Sequence, residues 1–78
     1  MSEITLYHKW QCPYCTKVRD FMKQKGIEIT LKDITEDSAI ADELISIGGK
    51  RQVPCLVIDK KPMYESDDII AWLDEKYS

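Results

Sequence analysis

Ile4 and Leu6 alternate with polar neighbours across Glu3–His8, the two-residue period of a half-buried strand. From Pro13 the rhythm changes. Cys15, Val18 and Met22 recur at three- and four-residue spacing with Phe21 beside them, which predicts a helix. Pro13 suits its first turn, where a missing N–H costs little, and Gly26 suits its end. Ile27-Glu28-Ile29-Thr30-Leu31 alternates again and predicts a second strand. Thr35 or Asp37 can start the next helix. Its residues Ile40, Leu44 and Ile47 share one face, and Gly48-Gly49 stops it. Val53-Pro54-Cys55-Leu56-Val57-Ile58 reads as a buried strand whose proline falls at the start, where a sheet tolerates it. Asp59-Lys60-Lys61-Pro62 reads as a turn and Met63-Tyr64 as a short last strand. Ser66 is placed to cap a final helix, with Asp67 and Asp68 in its first turn and Ile69, Ile70, Leu73 and Tyr77 on its apolar side.

The predicted order is β-α-β-α-β-β-α, an α/β chain. The first two strands, joined through a helix, should pair in parallel, and the last two, joined by a tight turn, antiparallel. The 78 residues are enough for one small domain, with no repeat or linker to divide it. Hydrophobic residues make up 44% and no apolar run approaches the ~20 residues that span a bilayer, so a membrane protein is not expected. Met1-Ser2-Glu3 lacks the basic and apolar regions of a secretory signal, and the cytoplasm is the expected location. A net charge of −3 argues against a general nucleic-acid binder. Charge is uneven, however: Lys9, Lys17 and Arg19 surround the first cysteines and Lys50-Arg51 form a second basic spot. Such local positive charge would favour an anionic small substrate, although each lysine also suits an ordinary solvated surface.

The chemistry lies in Cys12-Pro13-Tyr14-Cys15, directly after the first strand and at the start of the first helix. A Cys-x-x-Cys pair in that setting points to thiol–disulfide exchange. Free N–H groups and the dipole at a helix N-terminus favour thiolate over thiol at Cys12. Lowering a thiol's pKa by about three units takes about 4 kcal/mol of preferential thiolate stabilisation, which those groups and Lys9 can supply. Cys15 lies one turn on, within reach to close a disulfide, and should be more buried and less acidic. A structural disulfide and a zinc half-site are the competing readings. Three cysteines and His8 make a poor zinc set, and no metal site is expected. Cys55 should face the core by strand alternation, and His8, at a strand end, is read as structural.

With Cys12-Pro13-Tyr14-Cys15 after the first strand, this element order resembles the thioredoxin fold, and specifically the glutaredoxins, across essentially the whole chain. Three further matches carry the resemblance. Lys9 stands three residues before Cys12, as the glutathione-carboxylate lysine does in many of the family. Gln52-Val53-Pro54 sits where the family has Thr-Val-Pro with a cis proline, and Asp67-Asp68 where it has an acidic pair. Two positions depart from the pattern. Gln52 replaces threonine, and Tyr64-Glu65 replaces Gly-Gly. Glu65-Ser66 is instead similar to the glutathione-binding turn of glutathione transferase N-terminal domains and of two-domain glutaredoxins.

The resemblance implies a thioredoxin-like domain over residues 1–78, a four-stranded mixed sheet flanked by three helices. It implies a glutathione-dependent disulfide oxidoreductase acting on glutathionylated or disulfide-containing proteins as a monomer. Electrons would come from NADPH through glutathione reductase, with glutathione as co-substrate and no tightly bound cofactor. Cys12 would be the nucleophile and Cys15 the resolving thiol. Lys9, Tyr14, Gln52, Val53, Pro54, Ser66 and Asp67 would bind glutathione, with the Val53 backbone pairing as an added strand does. Gln52, Arg51 or Lys50 could reach the glycyl carboxylate. Trp10 could contact protein substrates or pack structurally. Two other functions stay open: an iron–sulfur carrier using Cys12 and glutathione, which the stiff Pro13 disfavours, and a non-catalytic glutathione-binding module.

Overall fold

The computed structural model describes residues 3–77. The elements run β1 (Ile4–His8), α1 (Pro13–Lys25), β2 (Thr30–Asp33), α2 (Ser38–Gly48), β3 (Cys55–Ile58), β4 (Lys61–Met63) and α3 (Ser66–Tyr77). They form one sheet in the order β2-β1-β3-β4. β1 pairs with β2 in parallel, while β1–β3 and β3–β4 are antiparallel. The element order and strand directions match those expected from the sequence.

Alternation along the two central strands divides the core. Leu6 and Leu56 join Val18, Met22, Ile27, Ile69 and Leu73 on the face covered by α1 and α3. Tyr7, Cys55 and Val57, one step out of phase, join Ile34, Ala41 and Leu44 beneath α2. Both sets are buried, which is why β1 and β3 sit at the centre of the sheet. Among the described residues no helix is long and apolar enough to cross a membrane.

Four boundaries differ from the sequence reading. The second ladder is Thr30–Asp33, not Ile27–Leu31. Gly26 ends α1 in the left-handed conformation (φ 68°), the Gly26 N–H bonds to the Lys23 carbonyl, and the Ile27 N–H bonds to the Met22 carbonyl. That double bond pattern is a Schellman motif, and Ile27 packs beside Met22 as its hydrophobic partner. Ile27 therefore belongs to the helix end. The third strand begins at Cys55, because Val53 and Pro54 are joined by a cis peptide bond and precede the ladder. The hairpin turn is only Asp59-Lys60, both at positive φ (49° and 70°), so the fourth strand starts at Lys61 instead of Met63. Finally, Ser66 is the first residue of α3 and not its cap. The Glu65 carbonyl accepts the Ile69 N–H, so Glu65, at φ 71°, stands in the capping position. On the same helix Ile69 and Leu73 are buried as expected, whereas Tyr77 stays exposed.

Candidate active site

The cysteine pair lies at the C-terminal end of β1, where the chain turns into α1. Cys12 is the N-cap residue with extended backbone (φ −83°, ψ 120°), and Pro13 opens the helix. Its sulfur closes no tight capping bond. Cys12 is 7% exposed and Cys15 fully buried, and both are free thiols.

The two sulfurs are pushed in opposite directions. Burial works against the Cys12 thiolate, but the effect is outweighed. The Cys15 backbone N–H and thiol, the Tyr14 N–H and the charge of Lys9 all favour it, and the pKa falls below the usual thiol value. Burial dominates at Cys15, and the neighbouring Cys12 adds to it, so that its thiol is pushed up to about 11. Of the two, Cys12 is therefore the more readily ionised, while Cys15 keeps its proton at neutral pH.

Two recesses of about 340 Å³ each lie on either side of the Gln52-Val53 segment, and Cys12 lines the first. The first is lined by Lys9, Cys12, Ile34, Thr35, Arg51, Gln52 and Val53. Its cations come from the β1–α1 loop and from the segment before β3. The second is lined by Tyr14, Lys17, Gln52, Val53, Pro54, Glu65, Ser66 and Asp67. Here the first turn of α3 faces the side of α1, and Lys17 pairs with Asp67 across the opening. Gln52 and Val53 belong to both, so the segment before the cis proline is the shared wall. Tyr14, on the rim of the second recess, is 65% exposed.

Lys9, Tyr14, Gln52, Val53, Pro54, Ser66 and Asp67 each line at least one of these recesses. Lys50 does not: its ammonium lies 4.4 Å from the centre of the Tyr64 ring. Arg51 does line the first recess. Lys17, noted in the sequence as part of the local positive charge, and Glu65, noted as half of the Glu-Ser turn, complete the walls, as do Ile34 and Thr35, which the sequence did not single out as binding residues. Thr35 is carried there by a local turn in which Asp33 Oδ1 accepts from the Thr35 N–H at 2.8 Å and its hydroxyl at 2.6 Å. An Asp-x-Thr triplet is a turn signal, but nothing in it says which surface the turn will face. Cys55 is fully buried and points into the α2 side of the core, as strand alternation predicted. His8 is buried too, with Arg19 Nη1 at 3.0 Å from its Nδ1.

A family model for glutaredoxin matches residues 4–63. The chain belongs to the glutaredoxin family. Within it, the chain is 30% identical over 71 residues to glutaredoxin 3 of Escherichia coli K12, covering 91% of this chain and 86% of that protein. Among solved structures it is similar to oxidized glutaredoxin 2 from Chlamydomonas reinhardtii (TM-score 0.69, 28% identity, 97% of this chain and 75% of that one). It is also similar to glutathione transferase Omega 3C from Trametes versicolor (TM-score 0.81, 25% identity). That match covers 96% of this chain but spans only 34% of the transferase. The thioredoxin-like fold and membership of the glutaredoxin family support thiol–disulfide oxidoreductase activity for this chain.

Proposed function

We propose that this glutaredoxin is a dithiol, glutathione-dependent disulfide reductase with Cys12 as nucleophile. The observation that carries the reading is a pair of unlike recesses that share the Gln52-Val53 wall, the first of them lined by Cys12. Glutathione has a glycyl carboxylate at one end and a γ-glutamyl ammonium and carboxylate at the other. The first recess, with Lys9, Arg51 and Gln52, suits the glycyl end. The second suits the γ-glutamyl end: Asp67 takes the ammonium, and the free N–H groups around Ser66 take the carboxylate. The middle of the tripeptide then runs along Val53 and Pro54, with its sulfur at Cys12 and Tyr14 folded over it.

In the first step the Cys12 thiolate attacks the glutathionyl sulfur of a mixed disulfide. A new S–S bond joins Cys12 to glutathione, and the client thiolate leaves and takes a proton from water. In the second, the thiolate of another glutathione attacks that glutathionyl sulfur. Glutathione disulfide departs and the Cys12 thiolate is restored. For a disulfide within a client, Cys12 attacks one sulfur and Cys15 resolves the mixed disulfide. Cys15 then gives up its proton as it attacks, leaving an oxidised Cys12–Cys15 pair that glutathione reduces.

The test is reduction of a small glutathionyl mixed disulfide by glutathione, coupled to NADPH oxidation through glutathione reductase. Wild type should turn over, Cys15→Ser should retain activity, and Cys12→Ser should fall to background. Equal activity in Cys12→Ser and wild type would overturn the assignment of the nucleophile. Absence of turnover in the wild type, with thioredoxin reductase supporting disulfide reduction instead, would overturn the choice of glutathione.

A further inference from the structure

The proposed reaction makes no use of Arg19, yet this half-buried cation contacts the loop before the cysteine pair and the start of α1 at several points. It lies one turn beyond Cys15 on α1. Its Nη1 donates to the Lys9 carbonyl at 3.3 Å, and its Nη2 to the Trp10 carbonyl at 3.3 Å and the Thr16 hydroxyl at 3.0 Å. The Thr16 hydroxyl donates in turn to the Cys12 carbonyl at 3.1 Å. The Trp10 ring covers the guanidinium, 4.4 Å from ring centre to Cζ, and the His8 ring meets Trp10 edge-on at 4.9 Å and 85°.

This arrangement decides the state of His8. An arginine only donates, so Nδ1 of His8 accepts and the ring is neutral, with its proton on Nε2. The titratable groups around Arg19 agree with that. Burial and the Arg19 charge disfavour a second proton on His8, and the opposing pull of Asp33, at the end of β2, is the weaker effect. Lys9 on the loop and Cys15 on α1 are the remaining ionisable neighbours. The loop from Lys9 to Cys12 is too short to form an element of its own, and the fork of Arg19 ties two of its carbonyls to the helix.

We propose that Arg19 is a positioning residue for the redox centre. By clamping the Lys9 and Trp10 carbonyls onto α1, it holds the Lys9 ammonium and the first N–H groups of the helix in register with the Cys12 sulfur. The role depends on the planar fork and its stacking on Trp10, which a lysine ammonium cannot reproduce. It rests on the reading of Cys12 as the nucleophile.

The experiment is the pH dependence of Cys12 alkylation by iodoacetamide in reduced wild type, Arg19→Lys and Arg19→Gln. Mass spectrometry of peptides locates the label, and thermal melting followed by circular dichroism checks the fold. Both variants should show the Cys12 midpoint raised by about one pH unit, roughly a tenfold loss of thiolate well below the midpoint. A wild-type midpoint in Arg19→Gln overturns the proposal. So does a wild-type midpoint in Arg19→Lys with a raised one in Arg19→Gln, since charge alone would then suffice. If Arg19→Gln does not fold, Arg19→Lys decides by itself. A wild-type protein whose own Cys12 midpoint is that of an ordinary thiol sinks the nucleophile assignment instead, and is recognised before any variant is compared.

Discussion

α1 and α2 start the same way and end up with different tasks. Each is preceded by a residue with extended backbone, Cys12 for α1 and Asp37 for α2, whose side chain stands over the first free N–H groups. Asp37 closes a capping bond with the Ala39 N–H at 2.9 Å, and the end of α2 is satisfied. At Cys12 the corresponding N–H groups, those of Tyr14 and Cys15, meet a thiol that gains from them by losing its proton. A carboxylate in that position is a stable cap, while a thiol there is a reagent. The lowered pKa of Cys12 therefore comes in part from a helix end left for sulfur to finish.

The most drastic way to break the contrast is Cys12→Ser, which makes the start of α1 resemble that of α2. Serine is a good cap, so the variant should gain about 0.5–1 kcal/mol over the protonated wild-type thiol while glutathione-coupled turnover drops to background. Chemical denaturation below the Cys12 pKa, beside the coupled assay, measures both. A loss of stability would show that the sulfur packs in a way the hydroxyl cannot.

At the opposite end of α2, Gly48→Ala should cost roughly 1–3 kcal/mol. A Cβ there would stand 1.8 Å from the hydroxyl of Tyr64, a rigid ring wedged between the helix and Cys55. A neutral urea midpoint would mean that the ring swings out freely. Removing the α2 cap with Asp37→Ala should cost about 1 kcal/mol and leave the alkylation rate of Cys12 untouched, because the two helix ends do not share residues.

The smallest effect sharpens the comparison through pH. The folded pKa of Cys12 is depressed, so its contribution to stability is fully present above the unfolded thiol value of ~8.5. It disappears as pH falls through the folded pKa. Cys15 and Cys55 act in the opposite sense, since burial raises both. Subtracting Cys12→Ser from wild type cancels Cys55 and the burial of Cys15, and the part of the Cys15 shift that Cys12 causes acts only above the unfolded thiol value. The difference in unfolding free energy should climb in favour of wild type as pH rises through that window. A flat difference would remove the thiolate from the account.

The parts of this fold legible in the sequence are those fixed by periodicity. The face of α1 through Cys15, Val18 and Met22 is one, and the phase shift between Leu56 and its neighbours Cys55 and Val57 is another. Ile27 misled because an apolar residue two places after a helix looks the same whether it closes a Schellman motif or opens a strand. The hairpin misled because both turn positions adopt positive φ with neither glycine nor asparagine, so the usual composition signal was missing. The site was legible where one segment carries its own chemistry, as Cys12–Cys15 and Gln52–Pro54 do. Ile34 and Thr35 reach the first recess only through the packing of distant segments, and Arg19 meets the Lys9–Trp10 loop through tertiary contacts. No short-range pattern encodes those meetings.

Pro62 has one more consequence. It sits in β4, the outer strand of the sheet, paired with Val57. Having no backbone N–H, it leaves a gap in the row of donors that an incoming strand would need, and the exposed Lys60 and Lys61 place charge beside the gap. On that side the sheet is closed to growth. A protein whose work brings it against other chains with broken or rearranging disulfides is thereby guarded, along one border, from being drawn into their aggregates.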